Sequence, residues 1–208
     1  MAVISTDGTL AIVQFTLRPG EIPDLLRRHA KKNPGTPAVE KLGERLIQGR
    51  FAPADAALFV TRVCQWGGGD RFVGRVLRNN TPTQIARALR LGLASALQGR
   101  VSEGVERIRE LRWLGQSFAS KQLRFLTPTH AVILDSVLRG ALGYAEDVDG
   151  YGAFLADCQA ILDHARTSDQ LDARARATLR VAIDASVLAH DVLDRLDESA
   201  DGHMGYGF

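Results

Sequence analysis

Lys121 and Asp135 are the residues of this sequence whose types and spacing could do chemistry together. Asp135 interrupts the apolar run Ala131-Val132-Ile133-Leu134, and the apolar pattern resumes with Val137, Leu138, Ala141 and Leu142. A carboxylate inside such a run carries a large desolvation cost unless something compensates it. The compensation available is a helix starting just after it: as N-cap, Asp135 would accept that helix's free N–H groups, which together with the helix dipole keep the acid ionised. The expectation is a fixed, anionic, largely water-excluded carboxylate. Such a group stabilises positive charge that builds up in a reaction. An amine desolvated beside it is a nucleophile, and an amine that stays charged is a clamp for an anion.

The elements that must position this pair surround Gly115. A basic helical stretch opening at Ser102-Glu103 runs to about Trp113, Gly115 makes the turn, and a second helix starts at about Ser117. Such a turn presents backbone N–H groups at the start of its second helix, where a phosphate can accept from them; Gly115, Gln116 and Ser117 are the candidates. On that helix Ser117, Lys121 and Arg124 fall at i, i+4 and i+7 and share a face, while Ala119, Leu123 and Leu126 point to the core. A lone lysine on a polar helix face is usually just solvated. Here a phosphate-binding turn precedes it and a recessed acid follows it.

The remaining chain reads as almost entirely helical. Residues 21–32 form a short helix with the basic cluster Arg27, Arg28, Lys31 and Lys32; further helices span about Ala38–Gln48 and Ala54–Trp66, the latter entered through Pro53. Gly67-Gly68-Gly69 breaks the chain before Asp70–Leu77. Thr81-Pro82 starts a long helix to about Gln98, and Tyr151–Ala165 and Leu171–Leu196 are amphipathic. Residues 1–18, containing LAIVQFTL, fit either a short strand or a packed arm, and 199–208 a loose tail. One all-α domain over 1–208 is expected, with the hairpin and the acidic motif at about 102–142.

Composition narrows the function classes. The chain is 45% hydrophobic and 24% charged, ordinary for a folded soluble domain, and no apolar run approaches the roughly 20 residues of a membrane-spanning helix. Cys64 and Cys158 sit in helical apolar patterns and read as reduced core residues, and no Cys/His spacing fits zinc. The expectation is a cytoplasmic monomer without metal or cofactor. The net charge of +2 hides an asymmetry: Arg62 to Arg124 holds twelve basic residues against four acids, and Gly143 onward thirteen acids against five arginines. An arginine-dominated lobe suits phosphate contacts. Internal pairing with the acidic C-terminal segments is the bland alternative.

The stretch LGQSFASKQLRFLTPTHAVILDSVL resembles the helix–hairpin–helix DNA glycosylase superfamily, and more narrowly the bacterial proteins with the 8-oxoguanine DNA glycosylase fold. The residues carrying the resemblance are Gly115, Phe118, Lys121, Phe125 and Ile133-Leu134-Asp135, within about 113–142. This sequence departs from the better-known members in two ways: their catalytic lysine falls at the position of Ser117, one turn before Lys121, and their second hairpin glycine is replaced by Gln116-Ser117. The resemblance implies a DNA N-glycosylase that flips a damaged or modified base out of DNA and excises it. Asp135 would stabilise the oxocarbenium-like transition state, and Lys121 would attack the sugar to form a Schiff base, giving AP-lyase activity, or else position the DNA. Gly115, Gln116, Ser117, Arg109, Arg112 and Arg124 would bind DNA, with Trp66 and Phe118 at the base pocket; Trp113 is a further aromatic at the hairpin. Two other classes remain open, a non-catalytic helix–hairpin–helix DNA-binding protein and a helical module for protein partners. The base, and a role in base-excision repair or in phage defence, stay open too.

Overall fold

A computed structural model describes residues 2–4, 10–12, 15–169 and 171–173. Three short strands come first, β1 (Ala2–Ile4), β2 (Leu10–Ile12) and β3 (Phe15–Leu17), paired antiparallel in that order with Val3 opposite Ala11 and Ala11 opposite Thr16. The segment LAIVQFTL is therefore not one strand but the second hairpin of a small meander. This corrects the reading of the chain as almost wholly helical. From Ile22 to Thr167 every regular element is a helix: α1 (Ile22–Lys32), α2 (Thr36–Gln48), α3 (Pro53–Trp66), α4 (Asp70–Asn79), α5 (Pro82–Leu97), α6 (Val101–Arg109), α7 (Gln116–Leu126), α8 (Ser136–Leu142) and α9 (Val148–Thr167). The all-α class holds for this body. The expected helix 171–196 and tail 199–208 lie outside the described residues, apart from 171–173.

Local sequence explains most boundaries. Thr81 caps α5 reciprocally, its hydroxyl accepting from the Gln84 amide at 3.2 Å while its own N–H donates to Gln84 Oε1 at 2.7 Å, with Pro82 at the first helical position. Helix α3 is entered through Pro53 and stopped by the glycine triplet, of which Gly68 takes a left-handed φ of +76°. The basic helix ends earlier than its sequence suggests, at Arg109 rather than Trp113. Buried Leu111 and Leu114 draw the chain inward, and Trp113 turns it with φ +71°, a conformation that costs a non-glycine residue about 1–2 kcal/mol. Buried Asn80, after α4, holds this turn: its carboxamide oxygen accepts from the Arg112 N–H at 2.9 Å and its Nδ2 donates to the Arg112 and Val76 carbonyls at 3.0 and 2.7 Å.

Helix α7 is the central element. Every residue from Ala119 to Thr127 is buried, which places the helix inside the bundle instead of on its surface. It packs against α2, α3, α5 and α6. A Cβ on Gly43 of α2 would fall 2.2 Å from the Phe125 carbonyl oxygen, so α2 can lie on the α7 backbone only with glycine there. Helix α9 packs on α6 and against β1.

Asn80→Ala would leave the Arg112 amide and carbonyl without this partner. The expected cost is about 1–3 kcal/mol, read as a lower urea midpoint with an unchanged slope. A variant as stable as the wild type would show that Asn80 does not hold the turn.

Candidate active site

The path from α7 to α8 decides whether Lys121 and Asp135 meet. After α7 the chain turns at Thr127, whose carbonyl accepts from the amides of His130 and Ala131, both at 3.1 Å. The buried segment Ala131–Asp135 then runs back along α7. Two side chains hold it there. Tyr151 of α9 accepts from the Val132 N–H at 3.2 Å and donates its hydroxyl to the Val132 carbonyl at 2.9 Å. Ser120 accepts from the Leu134 amide at 3.2 Å and donates to the Ser117 carbonyl at 2.9 Å. These bonds give the buried Val132 N–H and carbonyl and the Leu134 N–H protein partners, as burial demands. Asp135 emerges as the N-cap of α8, Oδ1 accepting from the Leu138 amide at 3.0 Å, as its position in the sequence predicts.

The other carboxylate oxygen, Oδ2, lies 3.3 Å from Lys121 Nζ, with the two side chains 11% and 6% exposed. The amine also donates to Ser117 Oγ at 3.3 Å and stands 4.9 Å from the centre of the Phe118 ring. Its aliphatic stem rests on the glycine triplet: a Cβ on Gly67 would come within 2.9 Å of Lys121 Cδ and 3.1 Å of Phe118 Cε1. Burial pulls the Lys121 pKa below the ordinary lysine range, and the Asp135 charge opposes that pull without cancelling it. Neighbouring Cys64 goes the other way. Burial pushes its thiol up to about 12, so it is a neutral core group, bonded weakly by Gln122 Nε2 at 3.7 Å. Both cysteines are free and buried.

Phe118, half-buried, meets Phe72 of α4 edge-on with ring centres 4.5 Å apart. Trp66 is placed differently from its expected role near a pocket. Its ring packs edge-on against Phe125 at 4.8 Å and its N–H donates to Thr36 Oγ1 at 3.0 Å, which makes it a bracket between α2 and α7. Trp113 is 57% exposed, so it is no core residue.

The expected phosphate contacts divide in two. Gly115 is exposed, its φ of −67° is open to any residue, and a Cβ there would meet nothing within 4 Å; neither turn nor packing requires a glycine. Arg112 is exposed, and Arg109 is half-buried and paired with Glu106 at 3.2 Å. Arg124 must be corrected. It is 7% exposed and paired with Glu40 of α2 at 2.7 Å, because the face it shares with Lys121 points into the bundle and not to solvent. Gln116 is internal as a whole, 1% exposed with its side chain donating to the Asp147 carbonyl at 3.1 Å, and Ser117 Oγ is engaged by Lys121; of these two residues only the backbone of half-buried Ser117 remains for a ligand. Among the described residues no group of three or more His, Cys, Asp or Glu is placed to hold a metal, and no helix is long and apolar enough to cross a membrane.

Sequence reasoning missed Phe72, Gly67, Ser120, Tyr151 and Glu40. The triplet 67–69 reads in the sequence only as a helix breaker, and nothing local links Tyr151 to Val132. The geometry defines a helical protein whose central buried helix carries a lysine at its middle, paired with the carboxylate that caps the following helix. No family model matches the chain, and no curated protein or solved structure matches it either.

The amine makes a direct test of the site's electrostatics. A carbon-13-lysine titration followed by NMR should show Lys121 losing its proton below the ordinary lysine range. In Asp135→Asn the Lys121 pKa should fall further, because the group favouring the charged form is gone. Lys121 titrating within the ordinary lysine range would contradict the burial described here.

Proposed function

We propose that this protein is a DNA N-glycosylase that takes a damaged or modified base out of the stack and breaks its bond to the sugar. The observation that carries the reading is the buried contact of Lys121 Nζ with Asp135 Oδ2 at 3.3 Å. A structural ion pair would seldom be kept in this form: burying both charges costs several kcal/mol per ion, and an apolar pair of like volume often serves stability as well or better. Three features support the reading. Ser117, where the resembling enzymes carry their lysine, has the amine of Lys121 at 3.3 Å from its hydroxyl, so one turn of sequence is bridged by the length of the side chain. The amide of half-buried Ser117, in the first turn of α7, precedes the helix's own hydrogen-bond ladder, which begins with Phe118 and Ala119 donating to Gly115. Exposed Gly115 close by carries no side chain to cover it, which suits a phosphate arriving at a helix–hairpin–helix turn.

In the proposed mechanism the bond from C1′ to the base weakens and positive charge builds on the sugar. The Asp135 carboxylate, fixed by the Leu138 amide, lies in a low-dielectric setting where it stabilises that charge most. The base leaves with the bonding electron pair. In the bifunctional form the neutral Lys121 amine adds to C1′, and Asp135 accepts the proton the nitrogen sheds. The C1′–O4′ bond then breaks, O4′ taking the electron pair and the proton held by Asp135. The iminium so formed acidifies C2′, whose proton passes to Asp135 as the 3′ phosphate leaves with its bonding pair. The lowered Lys121 pKa favours this route, since only the neutral amine is a nucleophile. Phe118 and Phe72, edge to face beside the amine, suit one side of a slot for the extruded base.

Asp135→Asn keeps the shape and the capping oxygen and removes the charge. Base release from DNAs carrying different modified bases, scored by mass spectrometry, should drop roughly 100-fold or more, against about 1 kcal/mol of stability for a lost cap alone. Full activity in a folded Asp135→Asn would refute the assignment. Borohydride should trap a covalent protein–DNA adduct with the wild type and not with Lys121→Gln, in a yield that rises with pH and levels off below the ordinary lysine range. Active base release with no adduct at any pH would instead make the enzyme monofunctional, with water attacking.

A further inference from the structure

Helix α4 carries a feature that the buried pair does not explain. Arg71, Arg75 and Arg78 fall at i, i+4 and i+7 on one face, all exposed, and none of them forms an ion pair among the described residues. This differs from α6, where Arg107 is tied to Glu110 at 3.0 Å and Arg109 to Glu106 at 3.2 Å. The Arg75 guanidinium lies 5.3 Å from the centre of the Trp113 ring. Trp113 is 57% exposed on a backbone held at φ +71°, and Asn80 ties its neighbour Arg112 to the end of α4. A large aromatic is thus presented to solvent from a rigid turn, flanked by exposed arginines on two elements. The same helix reaches the buried pair, because Phe72, one turn before Arg75 (roughly 5 Å along the axis), meets Phe118 beside Lys121.

From this arrangement we infer that Trp113 is a stacking platform for an unpaired nucleobase, with the strand's phosphates running along Arg71, Arg75, Arg78 and Arg112. The inference rests on the proposed reading of the chain as acting on DNA and names the surface that holds the strand. Exposed aromatic faces and unpaired guanidinium groups are the combination that grips single-stranded nucleic acid, because every base offers a π-face and every nucleotide a phosphate. An acidic protein partner would use the arginines and leave the aromatic face without a matching group. The platform sits on the turn that leads to Lys121, so a base stacked on Trp113 would neighbour the one presented to the Lys121–Asp135 pair.

The test uses the full chain, whose tryptophans are Trp66, half-buried, and Trp113. Titration with a short oligothymidylate, or with a duplex carrying one unpaired thymidine, should quench the emission of Trp113, whereas inorganic polyphosphate, which has charge and no base, should not. Trp113→Phe should keep the binding and lose the quench. Trp113→Ala should weaken oligothymidylate binding about tenfold, the size of one lost base stack. The triple variant Arg71→Ala/Arg75→Ala/Arg78→Ala should reduce the salt slope of binding by roughly 2. A quench that survives in Trp113→Phe, equal quenching by polyphosphate, or wild-type affinity and salt slope in both surface variants would each overturn the inference. If DNA still binds and base release persists in those cases, the glycosylase reading stands without this surface. A wild type that binds no DNA at all would end both.

Discussion

A charged pair inside a helical bundle is the constraint on which the rest of this structure depends. Lys121 and Asp135 come from segments that must both be buried, and each charge is tolerable only because the other is 3.3 Å away and further polar groups complete the shell. Asp135 has the Leu138 amide; Lys121 has the Ser117 hydroxyl and the Phe118 ring. The surroundings follow from satisfying this pair. The chain between α7 and α8 must return along α7, which leaves backbone groups at Val132 and Leu134 in need of partners, and Tyr151 and Ser120 supply them. The pair is thereby locked to three helices and to the extended segment between two of them.

Steric fit around α7 is the second layer of the same design. A helix buried all round can be enclosed only if some neighbours come closer than ordinary side chains allow. Gly43 admits α2 to the Phe125 carbonyl, and Gly67 admits the lysine stem beneath the end of α3. A second buried charge is settled by pairing, with Arg124 reaching Glu40 across the α2 contact. The polar side chains of α7 thus face inward together with its apolar ones. Their inward direction turns a helix of ordinary composition into the scaffold of a site.

Electrostatics separates the molecule into a buried charged pair and an exposed charged face. Inside, burial lowers the tendency of Lys121 to hold its proton, while Asp135 restrains the shift so that the amine keeps an acceptor within reach. Outside, the arginines of α4 and the exposed Arg112 form no ion pairs among the described residues and leave a field open to solvent and to anions. The turn at residues 110–115 joins the two regions. It carries Trp113 outward and Leu111 and Leu114 inward, and it leads into the start of α7.

The sequence by itself determined what depends on neighbours in the chain. Capping pairs, proline entries and apolar periodicity set most helix boundaries to within two or three residues, and Asp135 is legible as a buried N-cap because cap and helix are contiguous. The choice of Lys121 and Asp135 as the candidate pair was legible in part, from the oddity of an acid in an apolar run. What the sequence could not determine is direction. Ser117, Lys121 and Arg124 share a helical face by spacing alone, but spacing does not say whether that face meets water or protein; the packing of α2 and α3 on α7 put it inside, which removed Arg124 from the surface. Trp66 and Trp113 look alike as aromatics beside glycine-containing turns. Tertiary contacts made one a bracket held by Thr36 and Phe125 and left the other exposed beside Arg75. Contact between Lys121 and Asp135 was likewise undecided until the path of residues 127–134 was fixed by Tyr151 and Ser120. Those hydrogen bonds join residues 19 and 14 positions apart, and no local pattern encodes which distant hydroxyl will reach a given amide.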